Sequence, residues 1–565
     1  MPHFKILYRQ FLFRLMDVEL LSASAHGDSS ELFGQFAALL LFGSLGLSYF
    51  ALPYGSMKLR PEAMAASVWG VEHFMVSLTM LVVGIFVVLS WDSTFLDGRD
   101  VLVLAPLPVR GRTLFAAKIA AVASALGLTV AAMHALSGFA WPLALAPAGC
   151  GIAGTIRFVA AFWVALLAGG AFLYCAVLGA QGVAALLPRG WYLRVSSFLQ
   201  IAACILFLGG FALQPWLASA KALTAPENQQ ALAWLPPYWF TGLLSELSGA
   251  FPAEGHAVMA PLARRAVVGL AVAILVAGGA FLLSYFRTLR KIVEEPDIVP
   301  GSHGGVWLPR FGNSPQTALA QFVIRTLLRS RQHRVILAFY LGGGLAIVAV
   351  YLGGARDMMQ LTWMDIVRRV NGLLLAASVL MLCASWLGIR TVFSLPLDLR
   401  ANWLFRVTPT PGGADCQTAV RRALLALSVL PVLVGTAALL LCFWPWTPAA
   451  EHLLVLGLLG SLLADISLKG FRKIPFTCSY LPGKSKVHMV FWFGNIPLVM
   501  AIHKAAELEQ RAMAHPLRYW AMVAILGGAA VAARRIATAS ANRSGPEIQF
   551  EESASYELIA LDLDG

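Results

Sequence analysis

Apolar residues run along this chain in stretches of about 20, long enough for a helix to cross a bilayer core of about 30 Å, and polar residues gather between them. On that rule the pattern predicts about twelve spans. They are Phe33–Leu52, Ser67–Ser90, Ile119–Ala140, Phe158–Leu187, Ser196–Leu213, Val267–Phe286, Val335–Leu352, Leu373–Leu395, Ala423–Phe443, Leu453–Ile466, Val487–Ile502 and Trp520–Ala533. The expected fold class is an all-α polytopic membrane protein.

Composition agrees. The chain has 565 residues, of which 59% are hydrophobic and 13% charged, and its mean hydropathy is +0.73. A water-soluble fold of this size would find that balance hard to cover. Lys and Arg number 42 against 29 Asp and Glu, a net charge of +13. The basic residues fall between apolar stretches and form no nucleic-acid-like block, so they read as membrane topology and no nucleic-acid partner is expected. They collect at Arg287–Arg334, Arg390–Arg422 and Lys469–Lys486. The positive-inside rule places these loops, and both termini, in the cytoplasm. The tail turns acidic (Glu547, Glu551, Glu552, Glu557, Asp562, Asp564) and is expected to be a short solvated arm. Met1–Leu32 lacks the long apolar run and cleavage site of a signal peptide. The seven cysteines form no CxxC pair and read as small hydrophobes.

A faint internal repeat of about 300 residues divides the chain into two six-helix halves. KILYRQFLFRL carries Gln10, Phe11 and Arg14, and AQFVIRTLLRSRQHR carries Gln321, Phe322 and Arg325. Each precedes the first span of its half, and a basic amphipathic helix there suits the inner membrane surface and its lipids. After the second span of each half comes a similar loop, Leu96–Lys118 or Leu397–Arg422. Arg99 and Arg400 are separated by the same interval as Pro108 and Pro409.

Chemistry-bearing motifs are scarce. Gly483-Lys484-Ser485 lacks the earlier glycine of a phosphate-binding loop, because Cys478 stands there. No LSGGQ-like signature, HExxH or GxSxG occurs. His73 and His134 read as packed histidines, with no second ligand at i+4. Glu72, His73 and Asp465 are the ionisable candidates within spans, and their plainer reading is a snorkelling or helix-end charge. Glycine pairs such as Gly169-Gly170, Gly278-Gly279 and Gly342-Gly343 read as places of close helix approach. PFTCSYLPGKSK, Pro475–Lys486, reads as a solvated cytoplasmic loop, with contact to a partner or acidic headgroups as the alternative.

WDSTFLDGRDVLVLAPLPVRGRTLFAAK, Trp91–Lys118, resembles the first cytoplasmic loop of ABC-2 type exporter permeases. The matching residues are Asp97, Asp100, Leu104, Leu107, Pro108, Val109, Arg112 and Lys118. The resemblance implies a short coupling element seated on a nucleotide-binding subunit. The loop between the fifth and sixth spans, with LAWLPPYWFTGLLSEL at Leu232–Leu247, resembles the outer re-entrant or interfacial helices of the same family. Pro236 and Pro237 start a helix there, and Trp234, Tyr238, Trp239 and Phe240 suit an interface. The second-half loop follows the pattern loosely: Arg400 matches Arg99, but Ala401, Asn402, Trp403 and Arg406 replace the acidic face, and Pro409 stands without the preceding leucine.

The resemblance implies about twelve helices in two ABC-2-like halves, residues 1–290 and 317–536, joined by a linker at 291–316 and followed by a tail at 537–565. It further implies a permease subunit of an ATP-driven exporter in the inner or plasma membrane. A separate cytoplasmic ATPase, in two copies, would carry ATP and Mg, and this chain would carry no cofactor, metal or catalytic residue. The rivals are an ion-coupled secondary transporter resting on Glu72, His73 or Asp465, an intramembrane hydrolytic or lipid-modifying enzyme, and a membrane scaffold.

Overall fold

The computed structural model describes residues 2–16, 29–51, 61–91, 110–146, 151–214, 229–249, 253–294, 312–395, 413–468, 474–477 and 487–543, and among them there is no strand. The chain forms two compact units, Met1–Ser302 and His303–Gly565.

The first unit contains α1 (Pro2–Met16), α2 (Ser29–Tyr49), α3 (Pro61–Leu89), α4 (Gly111–His134) and α5 (Ser137–Leu145). It continues with α6 (Gly151–Ala185), α7 (Arg189–Ala212), α8 (Gln229–Leu232), α9 (Pro236–Ser248) and α10 (Ala253–Glu294). The centre is α3, whose Met75, Val76, Val83, Phe86 and Val87 pack with Phe158, Phe162, Ala165 and Leu166 of α6. In a membrane a helix end cannot leave carbonyls bare. Here Gln200 Nε2 donates to Val88 O and Gln181 Nε2 to Trp91 O, each at 2.7 Å, so side chains from α7 and α6 close the end of α3.

The expected span Ile119–Ala140 is not one helix. It breaks after His134, and α5 begins at Ser137. The cause is a polar knot. Ser44 Oγ of α2 accepts from Leu136 N (3.0 Å) and Ser137 N (3.1 Å). His134 is tied on both ring nitrogens, with Nδ1 3.0 Å from Ser137 Oγ and Nε2 2.8 Å from Thr79 Oγ1. Hydropathy is blind to such a break, because the turn residues are as apolar as the helix.

The second unit contains α11 (Ser314–Arg329), α12 (Arg331–Met359), α13 (Trp363–Arg368), α14 (Gly372–Phe393) and α15 (Gly413–Leu424). After α15 come a π segment at Leu425–Val429, α16 (Leu430–Phe443), α17 (Trp446–Ser467), α18 (Val487–Met513) and α19 (Pro516–Arg543). α15, the π segment and α16 form one continuous apolar helix that begins well before the expected Ala423. Pro431 lacks an N–H and crowds the preceding turn, and the π segment absorbs the mismatch. The N-terminus of α14 is capped twice. Asn371 Oδ1 accepts from Leu373 N and Leu374 N, each at 3.1 Å, and Gln510 Oε1 accepts from Gly372 N at 2.8 Å.

Among the described residues ten helices are long and apolar enough to cross a membrane, so the chain is a multi-pass α-helical membrane protein. The other two expected spans, Phe33–Leu52 and Val487–Ile502, fall on α2 and α18, and within α2 the apolar stretch that stands out is Leu40–Tyr49. The most enclosed spans are Val68–Leu89 and Gly372–Phe393, each 67% buried along its most apolar window. Each is the second expected span of its half.

Candidate functional site

Both units begin with the same construction. On α1, Leu7, Phe11 and Leu15 lie at i, i+4 and i+8 and so share one face. That face packs on Leu114, Ala117 and Ala121 of α4 and on Phe281 of α10. Lys118 is buried and holds Nζ 4.6 Å from the centre of the Phe11 ring, and the Tyr8 hydroxyl donates to Ser124 Oγ at 2.9 Å. In the second unit α11 buries Leu319, Ala320, Val323, Ile324 and Leu327, and α15 buries Cys416, Ala419, Val420, Ala423 and Leu424. These two helices pack together. Gln316 bridges them, donating from Nε2 to Asp415 Oδ1 (2.5 Å) and accepting from Arg422 Nη1 (2.8 Å). In each unit, then, the apolar stripe of the entry helix meets the first turns of the third span. The opposite side of α11 lines an open cleft with Gln321, Phe322, Arg325 and Arg329.

Of the expected coupling residues, Arg112 is exposed on the first turn of α4, and Lys118 is the buried contact just described. Asp97, Asp100, Leu104, Leu107, Pro108 and Val109 lie outside the described residues, as do Arg400, Asn402, Trp403, Arg406 and Pro409. The ends of both loops are helical: Gly111–Lys118 opens α4, and Gly413–Arg422 belongs to α15.

The expected outer element is α9. Pro236 and Pro237 occupy its first turn, and Gly249 ends it in the left-handed region at φ 66°, donating its N–H to Ser245 O. It is more than a surface anchor. Tyr238, Phe240, Thr241, Leu244 and Ser245 are buried, and the helix packs against α3, α6 and α10. A Cβ on Gly242 would stand 2.7 Å from Leu262 Cβ and 2.9 Å from Met259 O, so only glycine allows this approach to α10. Trp239 donates from Nε1 to Ala233 O at 2.8 Å, while Trp234 is exposed. Gly170 likewise lies against Val83 and Val130, whereas a Cβ on Gly278 or Gly279 would meet nothing within 4 Å. Close packing therefore accounts for the first of those glycine pairs and not for Gly278-Gly279.

Polar groups inside the bundles fall into two kinds. Glu72 is 0% and His73 3% exposed, so neither is a snorkelling charge. Among the described residues neither Glu72 oxygen has a hydrogen-bond partner, nor has His73 Nε2. His73 Nδ1 lies 3.3 Å from Ser77 Oγ, and its ring rests 4.3 Å from that of Tyr238 on α9.

In the second unit the buried charges are matched. Asp465, 1% exposed, accepts from Arg421 Nε (2.6 Å) and Nη2 (3.0 Å) and stands 3.5 Å from Arg534 Nη1. Arg421 Nη2 also donates to Ser461 Oγ at 2.7 Å. One carboxylate thus joins α15, α17 and α19. A second knot joins α14, α17 and α18: His452 Nε2 lies 2.7 Å from Ser378 Oγ, and Nδ1 lies 2.8 Å from Glu509 Oε1. All three residues are buried. The order serine, imidazole, carboxylate is that of a nucleophile and its base, but the Ser378 hydroxyl and the first amides of α14 are already engaged. Ser378 Oγ donates to Leu375 O at 2.7 Å, and the first amides of α14 are taken by Asn371 and Gln510. Sequence reading singled out Asp465 without its arginines and passed over this knot. The only signal was His452 in the largely apolar α17, since Glu509 lies in a polar stretch with Lys504, Glu507, Gln510 and Arg511.

The described start of the Pro475–Lys486 loop is docked. Ile474, Phe476 and Thr477 are buried, and Phe476 N donates to Phe393 O at 3.4 Å beside the His333 ring. The solvated-loop reading fails for these residues, and Cys478–Lys486 lie outside the described set. Among the described residues no group of three or more His, Cys, Asp or Glu converges on a metal position.

These features define a polytopic helical membrane protein with two separately packed units. No family model, curated protein or solved structure matches the chain.

Proposed function

We propose that this chain is the membrane-spanning permease subunit of an ATP-driven exporter of ABC-2 type. In this reading it crosses the inner or plasma membrane about twelve times in two six-helix halves, with both termini cytoplasmic. A separate cytoplasmic ATPase, in two copies, binds ATP and Mg and supplies the energy. The observation that carries the reading is the repeated entry construction, in which α1 seats on the start of α4 and α11 on the start of α15. A rigid helix clamped to the first turns of a span transmits a push from a cytoplasmic partner into the bundle as a shift of that span. The partner meets Leu96–Lys118 and Leu397–Arg422, and the cleft along α11 offers Arg325 and Arg329 as a further basic surface.

Purification of the chain from native membranes in mild detergent tests this, with the co-purifying proteins identified and ATP hydrolysis measured. A stoichiometric P-loop protein and ATPase activity are expected, both reduced several-fold when Asp100 and Arg112 are replaced by Ala. Absence of any ATPase, even after cross-linking in the membrane, overturns the reading.

A further inference from the structure

Glu72 calls for an explanation that the ATP-driven reading does not supply. Buried polar groups in folded proteins have partners, and an orphan points to a ligand, an ion or a water. Among the described residues both oxygens of Glu72 lack a partner, and the positions one turn away on its helix are Val68, Trp69, Met75 and Val76. They are also fully enclosed. A void able to hold water would expose these oxygens, and among the described residues no group of three or more His, Cys, Asp or Glu converges to hold a metal ion. An unpaired carboxylate in an apolar bundle is untenable, while the neutral acid is tolerated. What completes Glu72 in this conformation is smaller than water.

We propose that Glu72 is an occluded proton-binding site of the first unit, closed by α9 through Tyr238. On the helices packed against α3, the titratable groups with described side chains are Arg112, Lys118 and His134 on α4, Arg157, Tyr174 and Cys175 on α6, Tyr192 and Cys204 on α7, and Tyr238 and Glu246 on α9. No cation pairs with Glu72 among the described residues. Arg157 of α6 directs Nε to Leu247 O, and Lys118 of α4 lies over Phe11. His73, the next residue along α3, holds an equally enclosed and unpaired Nε2. Its ring is the surface on which Tyr238 rests, so displacement of α9 uncovers this position first. On opening, the O–H bond of Glu72 breaks, its electron pair stays on the carboxylate, and water or His73 Nε2 takes the proton. Occupancy by a proton then favours the closed seat of α9, and loss of the proton favours the open one.

Infrared difference spectroscopy of the full-length chain in lipid nanodiscs tests this without any ATPase or cargo, so it is independent of the proposed function. The wild type should show a carboxylic-acid C=O band that is absent from Glu72→Gln. The band should persist from mildly acidic to mildly alkaline buffer. Glu72→Asp should keep an acid band at a shifted frequency, which covers the case in which the glutamine variant does not fold. In Tyr238→Ala the wild-type band should give way to carboxylate absorption as the buffer becomes alkaline. A difference spectrum with only carboxylate bands, or none assignable to residue 72, overturns the site. An acid band in Tyr238→Ala that behaves as in the wild type overturns the role of α9.

Discussion

Among the described residues the first unit leaves its one buried carboxyl without a partner, and the second gives each of its two a cation or an imidazole. Glu72 has no partner among the described residues, whereas Asp465 receives two arginines and Glu509 receives His452. Both units otherwise follow one plan, with an entry helix on the third span and a deeply buried second span. The difference teaches that a repeated helical frame does not dictate the electrostatics inside it. Matched charges hold helices at fixed distances, because separating them would leave a lone charge in a medium of low dielectric. An unmatched acid holds nothing in place and is left available to change state.

The largest effect that would sharpen this contrast is expected at Asp465. Asp465→Asn leaves Arg421 and Arg534 facing one another without their shared carboxylate, at a cost of about 3–5 kcal/mol. Thermal unfolding in detergent should show a large loss for this variant and almost none for Glu72→Gln. Equal losses would break the comparison. A smaller effect is expected from Ser378→Ala, which removes the group next to His452 Nε2 and leaves a buried ring nitrogen unsatisfied, for about 1–3 kcal/mol. The same variant should leave the labelling of the purified chain by a fluorophosphonate unchanged, and labelling confined to Ser378 would revive a nucleophilic role.

The smallest effect lies at Asp365, outside the spans. Its carboxyl is held below the usual range by the Thr362 hydroxyl, then by the Thr362 backbone N–H, with Arg369 adding to them. Because its acidity is increased on folding, its stabilising effect is present above the ordinary carboxylate range and is lost as pH falls through the folded-state value. Asp365→Asn should therefore flatten the acid limb of the melting-temperature profile slightly and leave the neutral region almost unchanged. An unaltered acid limb would remove Asp365 from the account of the second unit.

Much of the frame was legible in the sequence. A run such as Val68–Leu89 can only be a buried or membrane helix, because a bilayer-length apolar stretch has no other stable use. The stripe Leu7, Phe11, Leu15 announced an amphipathic helix through its spacing, although its apolar face went to protein and not to lipid. The break at Ala135–Leu136 was not legible, because it depends on Ser44 from another helix. Nor was the continuation of the ninth span back to Gly413, since polar Arg421 and Arg422 masked a helix in which Arg421 pairs with Asp465 and Arg422 donates to Gln316.

By itself the sequence determined that this is a membrane protein of many helices, since hydropathy over about 20 residues is a local quantity and the bilayer reads it locally. It also determined that each of the two units carries near its start a helix with an apolar stripe, for the same reason of local period. Tertiary structure alone decided which buried polar groups meet. Asp465 finds Arg421, 44 positions earlier in the chain, and His452 finds Glu509, 57 positions later, only when separate helices pack. Glu72 looks no different from them in the sequence. Its solitude is a property of what the neighbouring helices fail to bring, and that is set by packing across the whole unit.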